Sequence, residues 1–362
     1  MFDRIQIIRT INGSNNLIIN GNVIANGKIL TTVATQLLRS DLERLSQEAR
    51  AEMEICVNEC TQKVAEQIVE KKLEEKLTEF VRPATQLAFY STLRGYTRSE
   101  TQEQREMMVD SIIDWIQKSW NTTERMIIDT ALGILPKLTP ATLSTIGLLQ
   151  LRHQLITGPI GMMVDQFFSR LTPLVEQMAA IGVLETEYLK QEKLILPIPA
   201  MRSAIPFVEY MKQTYDLFFR KSLPDGVYES YCLEHPEAGE AIMDKPIKSC
   251  MMWKNCAGNS EWGFCISNSN MLRQMLVERH QEHIIPHVEA LMDMMTPFTE
   301  QEVKSYLLKF TPAWEKVITL FSSEVFTKYK LSIVGNYIGG KVLAKVNHST
   351  PLPLTEYNKQ LL

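Results

Sequence analysis

From Ile29 to Arg82 the chain contains neither glycine nor proline, and Pro83 ends that run. Within it apolar residues recur three or four apart: Leu42, Leu45, Ala49, Met53, Cys56, Cys60, Val64 and Ile68. Leu73, Leu77 and Phe80 continue the pattern after a one-residue slip. This is the spacing of one helix face. The other faces carry Glu66, Glu70, Lys71, Lys72, Glu74, Glu75 and Lys76, opposite charges at helical intervals that suit water. If continuous, about 45 residues at a rise of 1.5 Å make a rod of about 70 Å. Ser40 and Asp41 offer a cap and a break near its start. A strict heptad is not sustained, so the pattern does not specify a long coiled coil.

Residues 1–30 read differently. Ile-Asn-Gly occurs at Ile11–Gly13 and again at Ile19–Gly21, and Asn26-Gly27 follows. Asn-Gly is a strong turn dipeptide because both residues tolerate positive φ. The alternating Leu17 and Ile19, followed by Val23, suit half-buried strands. The spacing predicts two to four short rungs or a tight meander. Two or three isolated strands bury too little to stand alone. Two arrangements satisfy this: a meander packed on its own body, or an inter-chain β-prism to which each copy gives one face through Ile11, Leu17, Ile19 and Val23. A core-poor strand segment beside a long amphipathic helix has the build of an oligomerisation stalk.

After Pro83 helical spacing returns over Glu103–Lys118, Thr123–Leu135, Pro140–Ile156 and Ile160–Ile181. Thr139-Pro140 is a helix start, with threonine as cap and proline at the first position. Three prolines make Leu194–Pro206 extended or looped. Phe207–Lys221, Asn270–Met295, Thr299–Phe310, Pro312–Tyr329 and Leu331–Val346 read as helices, with Thr299 and Glu302 forming a capping box. Leu223–Asn270 is irregular, with short strands near Trp262–Ile266. The expected fold is therefore mainly α: a multi-helix body with a long N-terminal helix and a short N-terminal β segment. Its divisions are 1–30, 31–82 and 83–362, the last interrupted by a cysteine-rich insertion at about 223–270.

Charge excludes some functions. With 42 acidic and 38 basic residues the net charge is −4, and no basic excess argues for nucleic acid or an anionic membrane. The opening residues lack a basic stretch followed by an apolar one, and the apolar windows Met126–Leu135 and Leu331–Val346 are shorter than a bilayer span. The expectation is a cytoplasmic chain whose six cysteines are reduced.

Two clusters could carry chemistry. Cys232 and His235 have ligand-like spacing, and Cys250, Cys256 and Cys265 follow them. Zinc takes four thiolate or imidazole ligands, and an irregular loop gains stability from such a staple. No paired Cys-x-x-Cys is present, and buried cysteine is also a common small hydrophobe. His280, His283 and His287 fall on one face if the helix is continuous, yet Glu282 precedes His283 rather than following His280, so the zinc-protease motif is absent. Pro286 also interrupts the set, and a solvated polar face accounts for it. Asp110 and Asp114 share a helix face that reads as facing water. Glycine-rich phosphate loops and the Gly-x-Ser-x-Gly elbow are absent from the sequence. Met162, Met163, Phe167 and Phe168 make the helix after Pro140–Ile156 too apolar for a DNA groove.

Several segments together resemble a bacterial family known mainly by locus tags, whose members open on a Gly-Asp/Ser-Asn repeat and continue into a long charged helix. They are Asn12-Gly-Ser-Asn-Asn-Leu-Ile-Ile-Asn-Gly21, the Glu/Lys-rich helix to Phe80, Gly133-Ile-Leu-Pro-Lys-Leu-Thr-Pro140 and Val334-Gly-Asn-Tyr-Ile-Gly339. The likeness covers the chain to about residue 190 and again its C-terminal end, while the cysteine-rich insertion is peculiar to this sequence. Similar openings occur in proteins of bacterial defence loci. The resemblance carries no catalytic residue over.

The reading these features favour is a non-enzymatic homo-oligomeric scaffold or sensor in anti-phage defence, partnered with itself and with a protein trigger or effector, and without a cofactor. The alternative is a metal-dependent enzyme or metal-stabilised binding module using the 232–265 cluster with a structural zinc.

Overall fold

A computed structural model describes residues 19–118, 123–153, 164–198, 205–221, 223, 226–236, 251–256, 259–264, 269–321 and 328–347. The chain is mainly helical, as its periodicity requires. It forms two compact units, one from residues 1–140, 332–341 and 352–362, the other from 141–331 and 342–351. Among the described residues no helix is long and apolar enough to cross a membrane.

The first unit begins with α1 (Ile19–Leu42) and α2 (Gln47–Glu70). They are not one rod but an antiparallel hairpin. Thr31 Oγ1 meets Thr61 Oγ1 at 2.9 Å, and the Arg50 guanidinium donates to the Leu42 carbonyl at 3.1 and 3.2 Å to close the bend. Ser46 starts α2 by accepting from the Ala49 N–H at 3.3 Å. The fold buries Ile29, Leu30, Val33, Ala34 and Leu38 on α1, and Val57, Cys60, Val64, Ala65 and Ile68 on α2. A straight rod would leave both apolar rows in water, so burial favours the bend.

The strand expected over residues 19–30 is also corrected. Ile19, Val23 and Asn26-Gly27 lie inside α1, whereas Ile11 and Leu17 fall outside the described residues. Packing overrides the turn preference at Gly27. A Cβ there would stand 3.0 Å from Gln62 Oε1 and 3.9 Å from Ala65, so glycine lets the helices approach closely. Glycine inside a helix costs about 0.5–1 kcal/mol relative to alanine.

Three helix ends share a device with no glycine signal. At the end of α2, Leu73 N–H bonds the Ile68 carbonyl at 2.8 Å and Lys72 N–H bonds that of Val69 at 3.1 Å. The same crossed pair ends α8 (Val183–Gln191) at Lys193 and α11 (Ser269–Glu278) at His280. Lys72, Lys193 and His280 have φ of 56, 55 and 56°, the left-handed position of a Schellman motif that usually takes glycine. A non-glycine residue there carries a steric penalty of about 1–2 kcal/mol. Lys193 is exposed. Lys193→Gly should therefore stabilise the second unit by about 0.5–1 kcal/mol, after the greater chain entropy of glycine is subtracted. Urea unfolding checks this, and an unchanged or lower midpoint would contradict it.

The 3₁₀ turn Glu74–Val81 buries Leu77 and Phe80, and Pro83 opens α3 (Pro83–Arg98). A capping box of Thr101 and Gln104 starts α4 (Gln102–Gln117), which precedes α5 (Thr123–Ile134). Gly95 of α3 sits so close to Met108 and Pro136 that a Cβ would fall 2.2 and 2.7 Å from them.

The second unit runs through α6 (Pro140–His153), α7 (Val164–Met178), α8, β1 (Ile195–Pro197), α9 (Phe207–Thr214) and α10 (Val227–Glu234). β2 (Met251–Cys256) pairs antiparallel with β3 (Asn259–Phe264), inside the insertion expected to be irregular. Then come α11, α12 (Ile285–Met294), α13 (Glu300–Leu308), α14 (Ala313–Phe321) and β4 (Tyr329–Leu331), which pairs antiparallel with β1. The Thr299–Glu302 capping box forms as its sequence requires. Phe168 is the centre of the core, ringed by Tyr215, Phe218, Phe219, Tyr306, Phe310 and Trp314. The final helix, α15 (Ile333–Asn347), gives its residues through Lys341 to the first unit and those from Val342 to the second.

Candidate functional site

Helix α10 carries the first of the five metal-ligand candidates, Cys232, and ends at the second, His235. Cys232 packs against the apolar cluster of Tyr228, Tyr231, Leu272, Leu276, Ile284 and Val288. Burial raises its thiol pKa, which the neighbouring Tyr228 hydroxyl partly offsets. Thiolate is the metal-binding form, so this environment works against ligation. Cys256 ends β2, with its side chain outside the described residues, as are Cys250 and Cys265 altogether. Among the described residues no group of three His, Cys, Asp or Glu is placed to hold a metal.

His235 follows α10 as its C-terminal cap and turns to a different neighbour. Its ring lies 4.6 Å from that of Tyr231 and 5.2 Å from that of His287, centroid to centroid. The Tyr231 hydroxyl meets His287 Nδ1 at 3.0 Å. The histidine trio itself is not on one face. His280 occupies the left-handed stop of α11, His283 a 3₁₀ turn at Glu282–Ile284, and His287 the first turn of α12. The fold thus separates each candidate set and joins one member of the first, His235, to one of the second, His287.

A more deeply buried polar cluster lies in the first unit, at Asp110 and Asp114, whose spacing suggested a face toward water. Instead Gln67 Nε2 donates to Asp110 Oδ1 at 2.6 Å, and Lys341 Nζ pairs with Asp114 Oδ2 at 2.7 Å. The Lys341 side chain is 4% exposed. The Tyr337 hydroxyl donates to Asp114 Oδ2 at 3.0 Å and lies 3.2 Å from Ser111 Oγ. Tyr337 and Lys341, four apart on α15, therefore meet Ser111 and Asp114, three apart on α4.

Serine, tyrosine and lysine are the group types of a proton relay, but their electrostatics oppose that use. Burial, followed by the Asp114 charge, pushes the Tyr337 hydroxyl well above its ordinary pKa. A general acid or base works best with a pKa near the operating pH. The Lys341 charge is committed to Asp114. This cluster ties α15 to α4, and its signal was Lys341, one of two lysines within the mainly apolar Leu331–Val346 run.

On α2 the apolar row changes character along its length. Cys60, Val64 and Ile68 are buried beneath α1 and its neighbours, while Ala49, Met53 and Cys56, one to three turns earlier, are only half-buried. Ile55, two residues on from Met53 and so on the far side of α2, is 67% exposed, and Leu45 in the bend is exposed too. Arg44, Arg50, Glu43, Glu48, Glu52 and Glu54 surround this patch with both signs of charge.

A model of an uncharacterised protein family, whose description assigns no activity, matches residues 30–354. The chain belongs to that family. No curated protein and no solved structure matches the chain.

The family region takes in the Asp114–Lys341 cluster, the His235–His287 pair and the whole of α2. It begins within α1, so Ile11, Leu17, Ile19 and Val23 precede it.

Proposed function

We propose that this chain is a non-enzymatic, homo-oligomeric scaffold or sensor acting in bacterial anti-phage defence. The half-covered apolar row at the start of α2 carries the reading. Ala49, Met53 and Cys56 continue a buried stripe into a zone that one copy leaves open. Its border mixes arginines with glutamates, so a second copy turned about a two-fold axis can set each sign against the other. The defence setting rests on the resemblance of residues 12–21 to the openings of proteins from such loci. A scaffold also agrees with the Ser111–Tyr337–Lys341 group, whose ionisable members are committed to one another.

Met53→Glu tests the surface. Burying the Met53 side chain contributes about 1.5–3 kcal/mol, counted twice in a two-fold interface. The variant should therefore raise the dissociation constant at least tenfold by sedimentation velocity, with helical content unchanged. An unaltered constant would remove this face from the interface.

A further inference from the structure

We propose that His235 and His287 together bind a divalent cation of the zinc and copper class, stapling the end of α10 to the start of α12. This inference is independent of the oligomer reading. The two imidazoles belong to different helices and stand 5.2 Å apart between centroids, with planes 55° apart. A metal–nitrogen bond is about 2.0–2.1 Å, so each ring centroid lies about 3.2 Å from a bound metal, and a tetrahedral angle sets two such centroids about 5.2 Å apart. The pair already has the spacing of two ligands on one ion.

Tyr231 supplies the second element. Its hydroxyl meets His287 Nδ1 at 3.0 Å, which assigns the metal to Nε2 of that ring. Metal-bound imidazoles are characteristically held this way, with the second nitrogen in a hydrogen bond that fixes tautomer and orientation. Tyr231 is itself buried and part of the apolar cluster with Leu272, Ile284 and Val288, so the orienting group stands on a rigid base. Imidazole suits zinc, copper and nickel, whereas magnesium and calcium prefer oxygen.

The local fields offset one another. His235 caps the C-terminal, negative end of α10, which favours a cation, while His287 lies in the first turn of α12, where the dipole opposes one. Among the described residues no third His, Cys, Asp or Glu stands with them, so the two imidazoles are the protein ligands assigned here. The site is therefore distinct from the cysteine set proposed from sequence, of which it keeps only His235. Binding joins the flanks of the β2–β3 insertion and stabilises the folded second unit by mass action.

The test uses the full chain, stripped with chelator and titrated with zinc by calorimetry and with cobalt by absorption. One equivalent should bind and raise the thermal midpoint. His235→Gln and His287→Gln should each weaken zinc binding at least tenfold, while His283→Gln leaves it unchanged. Tyr231→Phe should weaken it about 10–100-fold at the same stoichiometry, as loss of an orienting partner does. Circular dichroism confirms that each variant is folded. Failure of the native chain to bind zinc would overturn the proposal. So would native affinity in both histidine variants, or a thiolate-to-cobalt absorption that persists in them, which would move the ion to the cysteines.

Discussion

Asp114→Ala should destabilise the first unit by about 3–5 kcal/mol, the range for removing one partner of a buried ion pair. The size follows from what is left behind. Lys341 is 4% exposed, and its ammonium is satisfied by Asp114 Oδ2 at 2.7 Å. The Tyr337 hydroxyl, which donates to the same oxygen, loses that acceptor as well and is left with Ser111 Oγ at 3.2 Å. Lys341→Met makes the informative contrast. It removes the buried charge and substitutes an apolar chain of similar length, leaving behind a carboxylate that is 28% exposed and can keep water. Its penalty should be well below that of Asp114→Ala. The double variant should be more stable than Asp114→Ala alone, because the stranded charge is gone. Urea unfolding of the four proteins gives the coupling directly. A loss under about 1 kcal/mol for Asp114→Ala would show that Lys341 finds another partner or reaches water, and the lock would not exist.

Phe168→Ala should cost the second unit about 3–5 kcal/mol, as truncation of a buried aromatic does when its surroundings relax only partly. Six aromatic rings lie within 6.4 Å of Phe168, centroid to centroid. Tyr306 and Trp314 meet it edge-on at 80 and 73°, the geometry in which the ring quadrupoles attract. They come from α13, α14 and the segment around α9, so no single neighbour can swing in to fill the void. Phe168→Leu keeps most of the volume and should cost less than half as much. Thermal unfolding by calorimetry separates the two. Equal midpoints for the alanine variant and the native chain would mean that the rings close over the cavity.

What the sequence made legible was whatever a local rule controls. Thr299–Glu302 announced its capping box and Pro140 its helix start, whereas the run up to Pro83, expected to be unbroken, is divided at Leu42–Gln47 and after Glu70, and Pro83 opens α3. The apolar row of α2 was visible, and even its ending was written in the slip between Ile68 and Leu73. That slip carries no stop signal, because the left-handed residue there is Lys72, with no glycine to mark it. His280 hid the break between α11 and α12 in the same way, which made three histidines look like one face. Asn26-Gly27 erred in the other direction: a turn dipeptide held in a helix by Gln62 and Ala65, partners distant in sequence. The two clusters of chemical interest were hidden for a related reason. Asp114 and Lys341, like His235 and His287, are each ordinary on their own helix and become a pair only when the helices meet.

The central claim, that this chain works as an assembly of copies, is most directly tested by light scattering of the purified full-length protein over a range of concentrations. A version lacking residues 1–18 is measured beside it. One chain has a mass of 41.5 kDa. The full chain should give a whole multiple of that mass. The shortened form should keep the multiple if the α2 face holds the assembly, and should fall toward one chain if residues such as Ile11 and Leu17 hold it. A mass of a single chain for the full-length protein at every concentration would contradict the account.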